Sequence, residues 1–247
     1  VGDGVVSRIL ELCRPHAGRI LEIGPGLGAV SRGLADMGTG YTAVEIDSGF
    51  VRYLADLFSG NGKVRIVHAD FLKSELADEF DLAVSNLPYY CASEILFRLA
   101  SDFTMPVIFA MVQREMAQRL LARPGTDEYG APAVSLWLDM SAELLFDIAP
   151  AAFYPSPDVV SSVMRLTRVS RNISVKVRND FHMIVKAGFW ARRKQLFACL
   201  TSSPFFTIDK EQAASLITAL GHGTKVRAEE LSPEEFLRAS HLLNGEQ

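Results

Sequence analysis

Asp81-Leu82-Ala83-Val84-Ser85-Asn86-Leu87-Pro88-Tyr89-Tyr90 is the stretch on which the reading of the fold turns. Asp81 to Ser85 reads as a short apolar strand, and Asn86-Leu87-Pro88-Tyr89 sits where it must stop. Pro88 has no backbone N–H to donate to a ladder and forces Leu87 into an extended conformation. The product is a rigid turn at the C-terminal end of a strand, carrying an amide side chain, free carbonyls and two aromatic rings. In an open α/β sheet that edge is where ligands bind. An amide oxygen and a carbonyl can accept both hydrogens of a planar exocyclic amine such as that of adenine, while a neighbouring ring stacks on the base. The plainer alternative is an ordinary strand-to-helix turn with surface tyrosines.

Upstream, Arg19-Ile20-Leu21-Glu22-Ile23 reads as another short strand, followed at once by Gly24-Pro25-Gly26-Leu27-Gly28 and a helix from about Ala29 to Met37. Strand, glycine turn and helix form the first unit of a nucleotide-binding sheet, in which the backbone approaches a ligand closely and the helix N-terminus faces it. A strand from Tyr41 to Ile46 places Glu45 21 residues after Gly24, where an acid can hold the hydroxyls of a ribose. This pair of signals fits a dinucleotide fold as well as an S-adenosylmethionine fold. Strand 64–68 ends in Ala69-Asp70-Phe71, and Asp70 can cap a helix, accept from an adenine amine, or do both. His68 reads as a packed strand residue.

Further strands are expected over about 107–112, 142–148 and 159–167, and helices over about 3–14 (with Asp3 as N-cap), 49–58, 92–100, 113–121 and 131–138. Between the last two strands lies Phe153-Tyr154-Pro155-Ser156-Pro157-Asp158-Val159-Val160-Ser161, whose prolines hold a rigid connector that presents Phe153. Beyond residue 170 the alternation gives way to amphipathic helices alone, over 177–190, 192–202, 210–220 and 233–243, which marks a domain boundary. Ser232 with Glu235 forms a capping box, with Pro233 at the first helical position. The expected domains are therefore 1–170 and 171–247.

Composition narrows the class. The 247 residues are 49% hydrophobic and 22% charged, ordinary for a globular chain with a full core. No apolar run is long enough to span a membrane and no signal peptide is evident, so a cytoplasmic protein is expected. Cys13, Cys91 and Cys199 are scattered, fit a reducing compartment and are read as buried; the five histidines show no ligand spacing, so no metal is assigned. Net charge is −4, yet from Arg165 to Lys194 nine Lys/Arg face one acid, Asp180. A basic segment on an acidic chain is a footprint for nucleic acid. Arg192, Arg193 and Lys194, being consecutive, cannot all face one core and are the residues expected to meet phosphates. Arg165 and Arg168 read better as strand-edge residues paired with nearby acids.

Taken together, Leu21 to Gly28, Val44-Glu45-Ile46-Asp47, His68-Ala69-Asp70-Phe71, Asn86-Leu87-Pro88-Tyr89-Tyr90 and Phe153 to Val159 resemble, in that order, the ribosomal RNA adenine dimethyltransferases. Phe189-Trp190-Ala191-Arg192-Arg193-Lys194-Gln195-Leu196 and Arg227 to Phe236 look like the KsgA branch, which acts on small-subunit rRNA. The resemblance implies a Rossmann-like class I S-adenosylmethionine methyltransferase sheet of seven strands, its last hairpin antiparallel, with a small C-terminal helical domain. It implies S-adenosyl-L-methionine as cofactor, held by Glu22, Gly24, Gly26, Gly28, Glu45, Ile46, Asp70, Phe71 and Asn86. It implies that Asn86 and a main-chain carbonyl of the turn, Pro88, take the amine hydrogens, and that Leu87, Tyr89 and Phe153 complete the catalytic group, the two rings stacking on the base. The expected partner is small-subunit rRNA in an immature 30S-type particle, bound by a monomer, with no membrane. Members begin with a basic arm and a Gly-Gln-Asn/His-Phe-Leu-type segment that closes over the cofactor; this sequence opens at Val1 just beyond it, and a truncated chain is expected. The competing readings are a large-subunit rRNA methylase of the macrolide-resistance type, a non-catalytic ribosome-assembly or transcription factor on the same fold, and a dinucleotide-dependent oxidoreductase. The last leaves Asn-Leu-Pro-Tyr and Phe153 unexplained.

Overall fold

The computed structural model describes residues 2–76 and 79–245. The chain divides into two units, Val1–Ala117 with Met140–Arg168, and Gln118–Asp139 with Val169–Gln247.

The first unit opens with α1 (Asp3–Cys13), whose N-cap is Gly2; Asp3 lies inside the first turn and makes no side-chain cap. It still suits that position, because a carboxylate there faces the positive end of the helix dipole. The chain then alternates through β1 (Arg19–Ile23), α2 (Ser31–Met37), β2 (Gly40–Glu45), α3 (Ser48–Leu57), β3 (Val64–His68), β4 (Leu82–Asn86), α4 (Ala92–Asp102) and β5 (Val107–Gln113). After α5 (Arg114–Leu121) and α6 (Ala131–Trp137) come β6 (Met140–Ile148) and β7 (Ser161–Arg168). The strands order as β3-β2-β1-β4-β5-β7-β6 in one seven-stranded sheet. The first five are parallel, while β7 runs antiparallel to β5 and β6 antiparallel to β7. The antiparallel hairpin expected for the class is present.

This order follows from which strands can be buried on both faces. The β5 strand, Val-Ile-Phe-Ala-Met-Val-Gln, is buried at its first six positions and sits well inside the sheet. The edge strand β6 is buried only at its two ends and carries a register shift between Leu144 and Phe146, the kind of irregularity that blunts an unpaired edge. Because β1 pairs with β2 on one side and β4 on the other, the chain reverses its winding direction there. A crevice opens at such a switch point beyond the strand C-termini. Register fixes what stands around it: Ile23 lies opposite both Val44 and Ser85, so Gly24, Glu45 and Asn86 all emerge at one edge.

In the second unit, α6 joins α7 (Val175–Phe189), α8 (Leu196–Ser202), α9 (Lys210–Ala219) and α10 (Pro233–Leu243). Phe181, Ile184, Leu200, Ile217 and Phe236 form its core. Gly188 permits close packing, since a Cβ there would lie 3.2 Å from the Ala228 Cβ and 3.4 Å from Phe236. The capping box of Ser232 and Glu235 is formed, and Asp209 with Gln212 makes a second. Two details differ from the sequence reading. Residues 118–139 cluster with the helices rather than the sheet, because Tyr129, Ala133, Val134 and Leu138 belong to the helical core. Residues 191–195 form a loop, and α8 starts only at Leu196.

Arg168 illustrates how the first unit is tied together. Its guanidinium donates to the carbonyls of Ala100 (2.7 Å) and Phe103 (2.6 Å), with longer bonds to those of Leu99 and Met105 (both 3.3 Å). These are orphan acceptors at and just past the C-terminus of α4, and a planar cation with five donors is suited to collect them. The donation to carbonyls reflects where the helix ends. Arg165 does pair with an acid, Glu143, at 2.5 Å. We expect Arg168→Ala to lower unfolding free energy by about 1.5–3 kcal/mol in urea denaturation, the scale for hydrogen bonds from a charged donor. A loss below about 0.5 kcal/mol would show that water replaces the guanidinium.

Candidate functional site

The crevice at the switch point holds two adjoining cavities. The larger, of about 320 Å³, is lined by Gly24, Gly26, Glu45, Ile46, Asp70, Phe71 and Pro88, six of them singled out as cofactor residues from the sequence and the seventh from the catalytic turn. Its volume suits a nucleoside-sized ligand. The smaller, of about 50 Å³, is lined by Glu22, Gly24 and Asn86 together with Pro25 and Phe109. Every residue in both belongs to the first unit.

Glu45 is the centre of the larger cavity. Its side chain is almost wholly enclosed, yet its carboxylate is satisfied by backbone: Oε2 accepts from Gly26 N–H at 3.0 Å, and Oε1 from Ile46 and Asp47 N–H at 2.8 and 2.9 Å. It therefore links the glycine turn to the end of β2. A second tie, Gly24 N–H to the Val44 carbonyl at 2.9 Å, runs beside it. Gly24 and Gly26 both have positive φ, 65° and 56°, and no atom lies within 4 Å of a Cβ built on Gly26. Space is thus reserved where a ligand can approach the backbone. Gly28 serves another purpose. Its φ is 74° and a Cβ there would meet Leu54 and Leu57 at 3.3 and 3.4 Å, so it shapes the turn against α3 instead of lining either cavity.

At the far end, Asp70 caps a short 3-10 turn by accepting from Leu72 N–H at 3.0 Å, and its other oxygen lies 3.4 Å from Lys73. The capping role read from the sequence is present, and Asp70 also lines the larger cavity. Ile46 is exposed although apolar, which suits a face for a flat ring. His68 is not packed; its ring Nε2 bonds the Ile46 carbonyl at 3.1 Å on an exposed edge. The sequence reading missed Phe50, Tyr90 and Cys91 as lining residues. Tyr90 is 83% exposed, and exposure is what a linear pattern does not show. Cys91 is only half-buried, unlike Cys13 and Cys199. Burial pushes the Cys91 thiol up, so it is no thiolate nucleophile at neutral pH.

The Asn-Leu-Pro-Tyr turn is held by Leu87 N–H donating to the Met111 carbonyl at 3.0 Å. Leu87's side chain is buried and anchors the turn. The Pro88 carbonyl, the acceptor inferred for an amine hydrogen, already receives Cys91 N–H at 3.2 Å. Among the described residues no protein donor reaches the Leu87 carbonyl, which leaves it the freer acceptor beside Asn86. Tyr89 is partly exposed, and its hydroxyl bonds Ser161 Oγ at 3.0 Å. Phe153 is half-buried and packs against the sheet core, so the connector presents it less fully than its sequence suggests. Arg192, Arg193 and Lys194 lie exposed on the loop of the second unit. Arg192 donates to the Asp127 carbonyl, and Lys194 Nζ lies 4.5 Å from the Trp190 ring.

Glu22 differs from Glu45. It is buried inside β1 and accepts from Ser31 Oγ at 2.8 Å and from the Tyr41 hydroxyl, both also buried. Removal from water pushes its carboxyl up to about 7, against the stabilising effect of those two donors. Among the described residues no cluster of ligating side chains could hold a metal ion.

Comparison with known proteins gives a consistent picture. A family model described as ribosomal RNA adenine dimethylase matches residues 4–244. A Ribosomal RNA small subunit methyltransferase A from Geobacillus kaustophilus is 37% identical, covering 98% of this chain and 87% of the relative. Among solved structures, the 23S rRNA methyltransferase ErmE is 26% identical with a TM-score of 0.73, covering 99% and 98% of the two chains. A dimethyladenosine transferase from Plasmodium falciparum superposes with a TM-score of 0.83 at 19% identity, covering 99% and 96%; at that identity the likeness is one of fold.

The buried Glu22 has a measurable consequence. Its folded value near 7 lies above the ordinary 4.5, so the native state holds a proton that the unfolded chain has released. The associated stability is present in full below about pH 4.5 and is lost as pH rises to about 7. At about 1.4 kcal/mol per unit, the loss is on the order of 3 kcal/mol. Glu22→Gln should flatten the decline in unfolding free energy between pH 5 and pH 8 relative to wild type. Parallel pH profiles for the two proteins would show that Glu22 is ionised throughout.

Proposed function

The chain belongs to the ribosomal RNA adenine dimethylase family, and we propose that it transfers methyl groups from S-adenosyl-L-methionine to the exocyclic amines of adenines in small-subunit rRNA, two per base. One observation carries this reading: Gly24, Gly26, Glu45, Ile46, Asp70 and Phe71 line a single cavity with the turn that follows β4. The residues fit the cofactor. Carboxylates stand at two points of the cavity, Glu45 for a ribose diol and Asp70 for an adenine amine, and the open Cβ position of Gly26 leaves room beside the glycine turn. When bound, S-adenosylmethionine supplies an electrophilic methyl on a sulfonium centre.

The chain's own contribution is positioning. An adenine amine is a weak nucleophile because its lone pair is delocalised into the ring. Asn86 Oδ1 and the Leu87 carbonyl accept its two hydrogens, which favours a pyramidal nitrogen with its lone pair aimed along the transfer line. Tyr89 stacks on a base that has left its helix, and Phe153 contributes from the connector. The alkylated nitrogen gives its proton to water, and no enzyme nucleophile takes part. Arg192, Arg193 and Lys194 meet rRNA phosphates. The same reading places the chain in the cytoplasm, as a monomer acting on immature small subunits; among the described residues no helix is long and apolar enough to cross a membrane. ErmE gives the large-subunit alternative its support, but identity to the small-subunit relative is higher, 37% against 26%. Incubation with labelled cofactor and separate immature small and large subunits decides between them. Label on small-subunit adenines is expected; label confined to large-subunit RNA would overturn the assignment.

Two variants test the roles. Asn86→Ala should lower turnover by about a hundredfold or more while calorimetry finds cofactor affinity nearly unchanged, because the bond it removes forms mainly in the transition state. Near wild-type turnover would return the turn to a purely structural part. Replacing Arg192, Arg193 and Lys194 together by Ala should reduce the log–log salt slope of RNA binding by about 0.7–0.9 for each phosphate that is no longer neutralised. A wild-type slope would send the search for the RNA face elsewhere.

A further inference from the structure

Ser161 ends the connector that begins at Phe153 and has been given no role in the reaction, yet it touches the turn after β4. It is the first residue of β7, 1% exposed, opposite Gln113 on β5 and Ile148 on β6. Next to it, Arg114 N–H donates to the Val160 carbonyl at 3.0 Å and Ser162 Oγ to Asp147 at 2.6 Å. The backbone at Ser161 is therefore fixed by three strands. Its hydroxyl meets that of Tyr89 at 3.0 Å across 72 positions of sequence.

The two partners need this bond for different reasons. A hydroxyl as buried as that of Ser161 requires a partner. Tyr89, 39% exposed, has water within reach and needs none. What the bond does for Tyr89 is geometric. A tyrosine has two rotatable side-chain bonds, and tying its far end to a fixed strand stops rotation about the first, Cα–Cβ, which sets where the ring lies; the hydroxyl oxygen sits on the axis of the second, so the ring can still tilt. Ser161 also closes the connector that begins at Phe153, so the bond links the turn after β4 to that connector.

We infer that Ser161 is a positioning residue for the methyl transfer: it holds the Tyr89 ring at the place where the target adenine stacks. This rests on the reading that Tyr89 stacks on the base. Small errors in the placement of a reacting group cost rate more than binding, so the effect belongs in turnover and leaves the cofactor cavity untouched.

The test uses the full chain, S-adenosylmethionine and immature small subunits, with Ser161→Ala, Tyr89→Phe, the double variant and Tyr89→Ala. Each of the first two should lower kcat about three- to tenfold, the scale of one missing hydrogen bond, with cofactor affinity unchanged by calorimetry. The double variant should be no slower than the slower single, because both remove the same bond. Wild-type kcat in both singles, or losses that multiply in the double, would overturn the inference. A fall in melting temperature with kcat intact would likewise show a merely structural bond. If Ser161→Ala does not fold, Tyr89→Phe removes the same bond from the exposed side and decides alone. Tyr89→Ala separates the two levels. Slow turnover in Tyr89→Ala with normal Tyr89→Phe and Ser161→Ala removes the positioning role only, whereas normal turnover in Tyr89→Ala removes the stacking itself.

Discussion

The Glu45 carboxylate is the interaction on which the rest of the site depends. A carboxyl group enclosed in protein is tolerated only when hydrogen-bond partners replace the missing water. Here three backbone N–H groups do so, one from the turn after β1 and two from the turn after β2. Because those turns follow neighbouring parallel strands, one side chain ties the two together beside the crevice. Parallel pairing makes this possible, since it brings the ends of β1, β2 and β4 to the same edge. The alternation of strands and helices thus produces a binding edge before any ligand is considered.

Much of this was legible in the sequence because the informative residues are local. Arg19–Ile23 and Val64–His68 are strands with the bounds read from pattern alone, and α10 starts where Ser232, Pro233 and Glu235 announce it. The glycine turn, Glu45, Asp70 and Asn86 each sit at the end of a short apolar run, and strand ends in such a sheet converge. What pattern did not reveal depends on contacts across the chain. Asp3 has the chemistry of a cap, but Gly2 takes that place. Gly28 belongs to the glycine signature yet answers to Leu54 and Leu57. Phe153 reads as presented because prolines surround it, while the sheet core claims part of its ring. A carbonyl's availability is equally nonlocal: only the turn's own hydrogen bonding separates Leu87 from Pro88.

The basic segment between residues 165 and 194 shows why charge counted along a chain overstates a surface. Arg165 pairs with Glu143, Arg168 collects carbonyls, and Arg178 pairs with Asp139 at 2.6 Å. Arg171 lies 3.6 Å from the Trp137 ring and bonds the carbonyls of Trp137 and Leu138. Lys176 stands 3.7 Å from Asp180, the sole acid of the segment. These cations have internal work. Lys186 lies over the Phe205 ring at 4.1 Å and Lys194 over Trp190, so part of the charge that remains outward is accompanied by aromatic faces.

The helical unit is assembled from two separate pieces of chain, 118–139 and the segment after 168. Tyr129, Ala133, Val134 and Leu138 supply part of its core from the first piece, and the Tyr129 hydroxyl donates to the Leu231 carbonyl at 2.8 Å from one piece to the other. No single cut frees it. A gene truncated near codon 170 would leave α6 with its apolar side stripped of partners. Recombination between relatives could exchange this unit only by carrying both pieces together. The interruption of the sheet domain by its neighbour's helix therefore couples the inheritance of the two units, so that the helical unit is expected to diverge by substitution within it rather than by its replacement.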